Sequence, residues 1–201
     1  MSSKKKLTIS LSVAAAVLVA VIIAIVAVFA AAKQTVESNM TVKFRAKNVD
    51  CTIIGSQQTN TDEVASTFKT VTIKSTHGEG EVEYDLDPND IVLTIDDDGK
   101  AYVDLTYTIT NTSHADLLVK IESITNSSTN FTVTIVDEAE TLKGAGYKIG
   151  AMVGQTTQSK SFTIRVEATN AAITSAVDVE LDVDIVWDLS AVYTTTNPDA
   201  Q

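Results

Sequence analysis

The chain has 201 residues, 44% hydrophobic, 20% charged and only 5% aromatic, with 26 acidic against 15 basic residues and a net charge of −11. One cysteine, Cys51, excludes an intramolecular disulfide and any multi-cysteine metal site, and two histidines, His77 and His114, leave little material for a histidine-built centre. The composition reads against an enzyme, and no catalytic residue is assigned from it.

Lys4, Lys5 and Lys6 precede the uncharged stretch Leu7–Ala32, and Lys33 follows it. A membrane-spanning helix needs ~20 apolar residues and a signal-peptide core only ~7–15, so the length predicts an N-terminal hydrophobic helix that anchors the chain in a membrane. The lysines stay inside by the positive-inside rule, and the rest of the chain is exported as a single-pass protein with its C-terminal domain outside. Ala30-Ala31-Ala32 also fits the small-residue pattern that a signal peptidase reads, so cleavage before Lys33 and release to the cell surface is the alternative. Two segments result, residues 1–33 (lysine tip plus anchor or signal) and 34–201 (one extracytoplasmic domain). Lys4, Lys5, Lys6 and Lys33 leave 11 of the 15 basic residues for that domain against all 26 acidic ones, a net of −15. Such a surface repels phosphates, and no nucleic-acid partner is expected.

From Met40 onward the hydrophobic period is two, which predicts strands with one buried face. Met40, Val42, Phe44 and Ala46 alternate with Thr41, Lys43, Arg45 and Lys47. The phase slips at Lys47-Asn48 and resumes at Val49, Cys51 and Ile53, which reads as a bulge. Further strands are expected around Val71–Ile73 and Ile91–Ile95. Asp96-Asp97-Asp98-Gly99-Lys100 reads as a hairpin turn leading into the cleanest strand, where Ala101, Val103, Leu105, Tyr107 and Ile109 share a face. Asn111–Asp116 follows as a polar loop. Leu117–Ile121, Phe131–Ile135, Phe162–Ala168 and Val177–Trp187 supply the remaining strands, with a glycine-bearing loop, Gly144–Gly154, between the second and third of these. About eight or nine strands without a βαβ rhythm or a convincing amphipathic helix predict an all-β fold, an antiparallel β-sandwich of immunoglobulin-like or jelly-roll-like kind.

Six groups of residues draw attention as sites. Asp178, Glu180, Asp182 and Asp184 line the polar face of the last strand, and clustered carboxylates suit Ca²⁺. Side chains two apart on a strand stand about 6.6–6.8 Å apart, too wide for one ion unaided, so a solvated sheet face is the plainer reading and no other cofactor is implied. The acidic turn Asp96–Gly99 lacks the bidentate glutamate that a calcium loop needs, since Leu105 stands there. Asp85, Asp87, Asn89 and Asp90 around Pro88 make a second acidic loop. Asn39, Asn111, Asn126 and Asn130 are N-x-S/T sequons, usable where an exported chain meets the glycosylation machinery. Trp187 is in phase with the buried face of its strand and reads as core, which leaves Tyr102 as the exposed aromatic for sugar stacking. Cys51 reads as a small core residue.

The lysine-led apolar N-terminus, the early strand Met-Thr-Val-Lys-Phe-Arg-Ala (40–46), the run Val-Asp-Leu-Thr-Tyr-Thr-Ile-Thr-Asn-Thr-Ser (103–113) and Ser-Phe-Thr-Ile-Arg-Val-Glu-Ala (161–168) together resemble exported sandwich proteins of Gram-positive bacteria related to the biofilm-fibre protein TasA and to camelysin. The resemblance implies a non-enzymatic structural protein whose subunits polymerise by donating an N-terminal strand. Lys33–Ala46 would be the donor here, with Met40, Val42, Phe44 and Ala46 as the candidate donor residues; on the structural reading, the strand near Met40–Ala46 is an edge strand that does the pairing. It implies self-association or contact with other surface proteins as the partner chemistry. The alternative is a membrane-displayed module that binds a ligand, either through Ca²⁺ or directly as a glycan.

Overall fold

The computed structural model describes residues 33–74, 80–96, 98–169 and 179–193, and most of these are in strands. In chain order they form β1 (Lys33–Lys47), β2 (Cys51–Thr59), β3 (Ser66–Ile73), β4 (Val82–Asp85), β5 (Val92–Thr94), β6 (Tyr102–Asn111), β7 (Asp116–Asn126), β8 (Phe131–Ile135), β9 (Tyr147–Ile149), β10 (Gln158–Ala168) and β11 (Val179–Val192). A single helical turn, α1 (Ala139–Lys143), sits between β8 and β9. The anchor segment Leu7–Ala32, Asp97, Asp178, His77 and the C-terminal tail from Thr194 lie outside the described residues. No described helix is long and apolar enough to cross a membrane.

Among the described residues eleven strands stand where eight or nine are expected. The two additional ones, β4 and β9, are only four and three residues long, too short to display a period. The strands form two sheets. One runs β4-β1-β11-β7-β9, with β5 also paired to β1, and the other runs β3-β2-β6-β10-β8. Pairing is antiparallel throughout with one exception. β1 and β11 run parallel, in register from Val36 opposite Val179 to Lys47 opposite Ser190. Parallel neighbours need a long crossover, and nearly the whole chain lies between these two.

Among the described strands only β2 and β3 form a hairpin between sequence neighbours. This corrects two readings of the sequence. The phase slip at Lys47-Asn48 is the point where the chain leaves the first sheet for the second, with Asn48 in the left-handed region at φ 58°, and is not a bulge within one strand. Asp96–Lys100 is indeed a turn, closed by the Asp96 amide donating to the Lys100 carbonyl at 2.8 Å, with Gly99 at φ 75°. It joins β5 of the first sheet to β6 of the second and makes no hairpin.

The inner faces of both sheets merge into one core. β6 buries Val103, Leu105, Tyr107, Ile109 and Asn111, and β11 buries Leu181, Val183, Ile185, Trp187 and Leu189, each at every second residue. Tyr107 of one sheet meets Trp187 of the other edge to face, with ring centres 5.8 Å apart. Two bulges adjust this core. In β3 the extra residue is Phe68, between the pairs Gly55–Lys69 and Ser56–Thr67, and its ring crosses over Gly55 to reach Tyr107 at 6.1 Å. In β7 the extra residue is Glu122, opposite the step Val186/Trp187, which turns its carboxylate toward β1.

A Cβ on Gly55 would stand 2.5 Å from the Phe68 ring. Gly55→Ala is therefore expected to displace Phe68 and cost about 1–3 kcal/mol by overpacking. The readout is the urea midpoint followed by fluorescence of Trp187, and an unchanged midpoint would mean that Phe68 swings aside freely.

Candidate functional site

The donor segment singled out by the sequence is not an edge. β1 lies inside its sheet, with β11 along one side and two short antiparallel partners along the other. β5 pairs with Lys33–Thr35 and β4 with Lys43–Ala46. Between them the acidic loop after β4 takes over. The Val42 amide donates to Asp87 Oδ1 at 2.8 Å, and the Val42 carbonyl accepts from the Leu86 amide at 2.7 Å. Pro88 has no amide proton to offer a ladder, so strand pairing stops there and a carboxylate completes the sheet hydrogen bonding.

Four inward side chains fill the slot, with Met40 and Ala46 5% exposed and Val42 and Phe44 fully buried. Phe44 lies flat on Trp187, ring centres 5.3 Å apart and planes 6° from parallel, and meets Tyr107 at 5.4 Å. Burial of Met40, Val42 and Phe44 stabilises by roughly 1.5–3 kcal/mol each. A domain of this size is stable by only ~5–15 kcal/mol, so burial of these three side chains is a large part of what holds the fold.

The outward face of β1 is ionic. Lys43 pairs with Glu83 at 2.8 Å, and Arg45 bridges Glu83 at 3.3 Å and Glu122 at 2.8 Å, the latter across the intervening β11. The hydrogen bond to Glu83, and then its charge, hold the Lys43 ammonium above its ordinary pKa. The same bond lowers Glu83 in turn. These groups are exposed, so the pairs fix which carboxylate β1 meets more than they add stability. At its C-terminal end β1 passes into β2 through three residues, Asn48, Val49 and Asp50. Val49 is buried, and the Asp50 carbonyl accepts from the Thr112 amide at 3.0 Å.

The other sequence candidates are scattered. Asp182 and Asp184 are exposed on β11, and Asp182 accepts a hydrogen bond from the Ser127 hydroxyl. Glu180 lies on the same strand, opposite Glu37 of β1. Among the described residues no three His, Cys, Asp or Glu side chains are grouped closely enough to hold a metal ion. Tyr102 carries the Arg165 guanidinium 3.8 Å over its ring, and that guanidinium forks onto both oxygens of Asp104 at 2.7 Å. One face of the ring is thus covered. Trp187 is fully buried. Cys51 is also buried, which pushes its thiol pKa up to about 12.

The sequons divide sharply. Asn39 is exposed on β1, and Asn126 is exposed at the end of β7 with its amide on the Phe131 carbonyl at 2.8 Å. Asn130 is half-buried in the turn that follows. Asn111 is fully buried, and its Nδ2 donates to the carbonyls of Ala115, Ile149 and Gly150, which ties the β6–β7 and β9–β10 connections together. No glycan can be attached there in the folded domain. A signal for this was present, since Asn111 continues the buried phase of Val103 to Ile109. Asn111→Ala leaves those carbonyls without their donor and is expected to cost about 1–3 kcal/mol, read as a fall in thermal midpoint. A midpoint within a degree of the parent would mean that water replaces the amide at no cost.

Compared with known proteins, the chain matches no family model, no curated protein and no solved structure.

The titrating groups give the domain two pH limits. Glu83, Asp96 and Asp116 have lowered pKa values. For Glu83 the main cause is Lys43, for Asp96 the Lys100 amide, and for Asp116 the 2.5 Å contact with Lys148. Their contribution is present above the ordinary values of 3.8 to 4.5 and is lost as pH falls through the lower folded ones. Cys51 and Tyr107 are raised by burial, so their contribution is present below the ordinary values of 9.0 and 10.0 and is lost as pH rises beyond them. The melting temperature is expected to be flat between these limits and to fall on both sides, with Asp116→Asn flattening the acid limb. A melting temperature that keeps rising below pH 4 would contradict the assignment.

Proposed function

We propose that this chain is a non-enzymatic cell-surface protein, held by its N-terminal apolar segment or released by cleavage after Ala32, which assembles by lending β1 to another copy. On this reading the two-sheet body is an immunoglobulin-like or jelly-roll-like β-sandwich, as the resemblance to TasA and camelysin implies. The observation that supports it is the arrangement of β1. The strand pairs only with elements distant in sequence, hands over one continuous hydrophobic face, and is joined to the remainder of the domain at one end by three residues. An element of that kind can be supplied as well by a second molecule as by its own chain. Nothing in the arrangement of Asp182, Asp184 or Tyr102 favours the ligand-binding alternative over this one.

A trans-complementation experiment tests the reading. Residues 48–201 alone are expected to be unfolded or aggregated, because the slot between β11 and β4 stands empty. Adding a synthetic peptide of residues 33–47 is expected to restore a cooperative melt, and a Phe44→Asp peptide is expected to fail. A truncated chain that folds unaided would remove strand donation from the account.

A further inference from the structure

Resting on the reading that β1 is exchanged, we propose that the exchange closes between two copies and does not propagate into an open fibre. The constraint is where β1 enters and leaves. Its last residue, Lys47, and the first residue of β2, Cys51, lie at the same end of the domain, the end that also carries the β6–β7 loop, since Thr112 bonds to Asp50. Only Asn48, Val49 and Asp50 separate them, and four fully extended Cα steps reach at most about 14 Å.

Consider a copy that accepts a foreign β1. The incoming strand must leave the slot at this end and reach its own β2 within that span, so the donor's same end is pressed against the acceptor. If the acceptor lends its own β1 to a third molecule, that molecule must come equally close to the same end, into space the first donor already occupies. A fibre needs two different ends for its two neighbours, a heterologous contact. Here both links leave from one place, and a reciprocal pair satisfies them with one isologous contact about a two-fold axis.

The linker itself favours opening. Asn48 sits at φ 58°, a left-handed conformation that an L-residue adopts at a cost, although Asn tolerates it better than most. An exchanged chain running extended from β1 to β2 relieves it. Every contact of β1 with β11, β4, β5 and the core is remade in the partner, so the balance between monomer and pair rests on this linker and on concentration. Short, strained connections are those that promote swapping.

The test uses the full chain in detergent and one inter-strand pair. Thr41 and Asp184 are register partners across β1 and β11, on neighbouring strands ~4.7–4.9 Å apart, which suits a disulfide. A Thr41→Cys chain and an Asp184→Cys chain are refolded together and oxidised; Cys51 is buried and stays out of the reaction. The expected product is a covalent dimer. The double variant T41C/D184C should likewise stop at twice the chain mass on a non-reducing gel. Inserting six Gly-Ser residues between Asn48 and Val49 should let the chain close on itself and abolish the covalent dimer at the same protein concentration, and Asn48→Gly should diminish it. A ladder of disulfide-linked species beyond the dimer would overturn the closed pair while leaving strand donation intact. A purely intrachain disulfide in the double variant, with no mixed dimer, would overturn both.

Discussion

Phe44 lying on Trp187 is the contact on which the remaining architecture depends. It joins the first described strand to the last, and Tyr107 and Phe162 of the opposite sheet also meet the indole, at 5.8 and 5.9 Å. Aromatic pairs contribute ~0.5–1.5 kcal/mol beyond their buried area, and this group also sets the spacing between the sheets. The bulge that carries Phe68 over Gly55 extends the same group outward, and the bulge at Glu122 lies beside the Trp187 step of β11. Both local departures from regular pairing thus occur next to the rings and shape the sheet around them.

The core has a polar cost as well. The Tyr107 hydroxyl and the Trp187 Nε1 are buried without a hydrogen-bond partner among the described groups. A buried donor without a partner destabilises by about 1–3 kcal/mol, a large fraction of a domain's net stability. The two rings contribute enough apolar area to outweigh that loss while β1 is in place. Withdrawal of β1 would remove the Phe44 ring from the face of Trp187 and from its contact with Tyr107. The energetic consequence of losing β1 is therefore concentrated where the rings meet, and an occupied slot is part of the fold whichever molecule supplies the strand.

Much of this was legible in the sequence because burial follows a period of two. Trp187 and Cys51 face inward as their phase requires, and so does Asn111, a polar residue in an apolar phase. The sheet to which each strand belongs was not legible. Alternation shows that one face is buried, but it is silent on the neighbour, and here almost every connection passes from one sheet to the other. For that reason Asp96–Lys100 resembles a hairpin turn and Lys47-Asn48 resembles a bulge: each is a local phase change, and the same change marks a crossing between sheets. β4 escaped notice because only Tyr84 of its four residues is even partly buried as a large side chain, and β9 because glycines flank it on both sides.

Position along the chain also misleads about edges. A first strand bearing lysines and an arginine on one face looks like a charged edge protected against pairing, the usual use of such residues. Here Lys43 and Arg45 serve an interior strand, and their partners Glu83 and Glu122 come from β4 on one side and from beyond β11 on the other. An interior strand that carries its own charge complement can be inserted in one register only, because a shift by one residue would place Lys43 and Arg45 in the core and Phe44 in solvent. A buried face on one side and an ionic face on the other therefore fix the register of β1 whichever molecule supplies it.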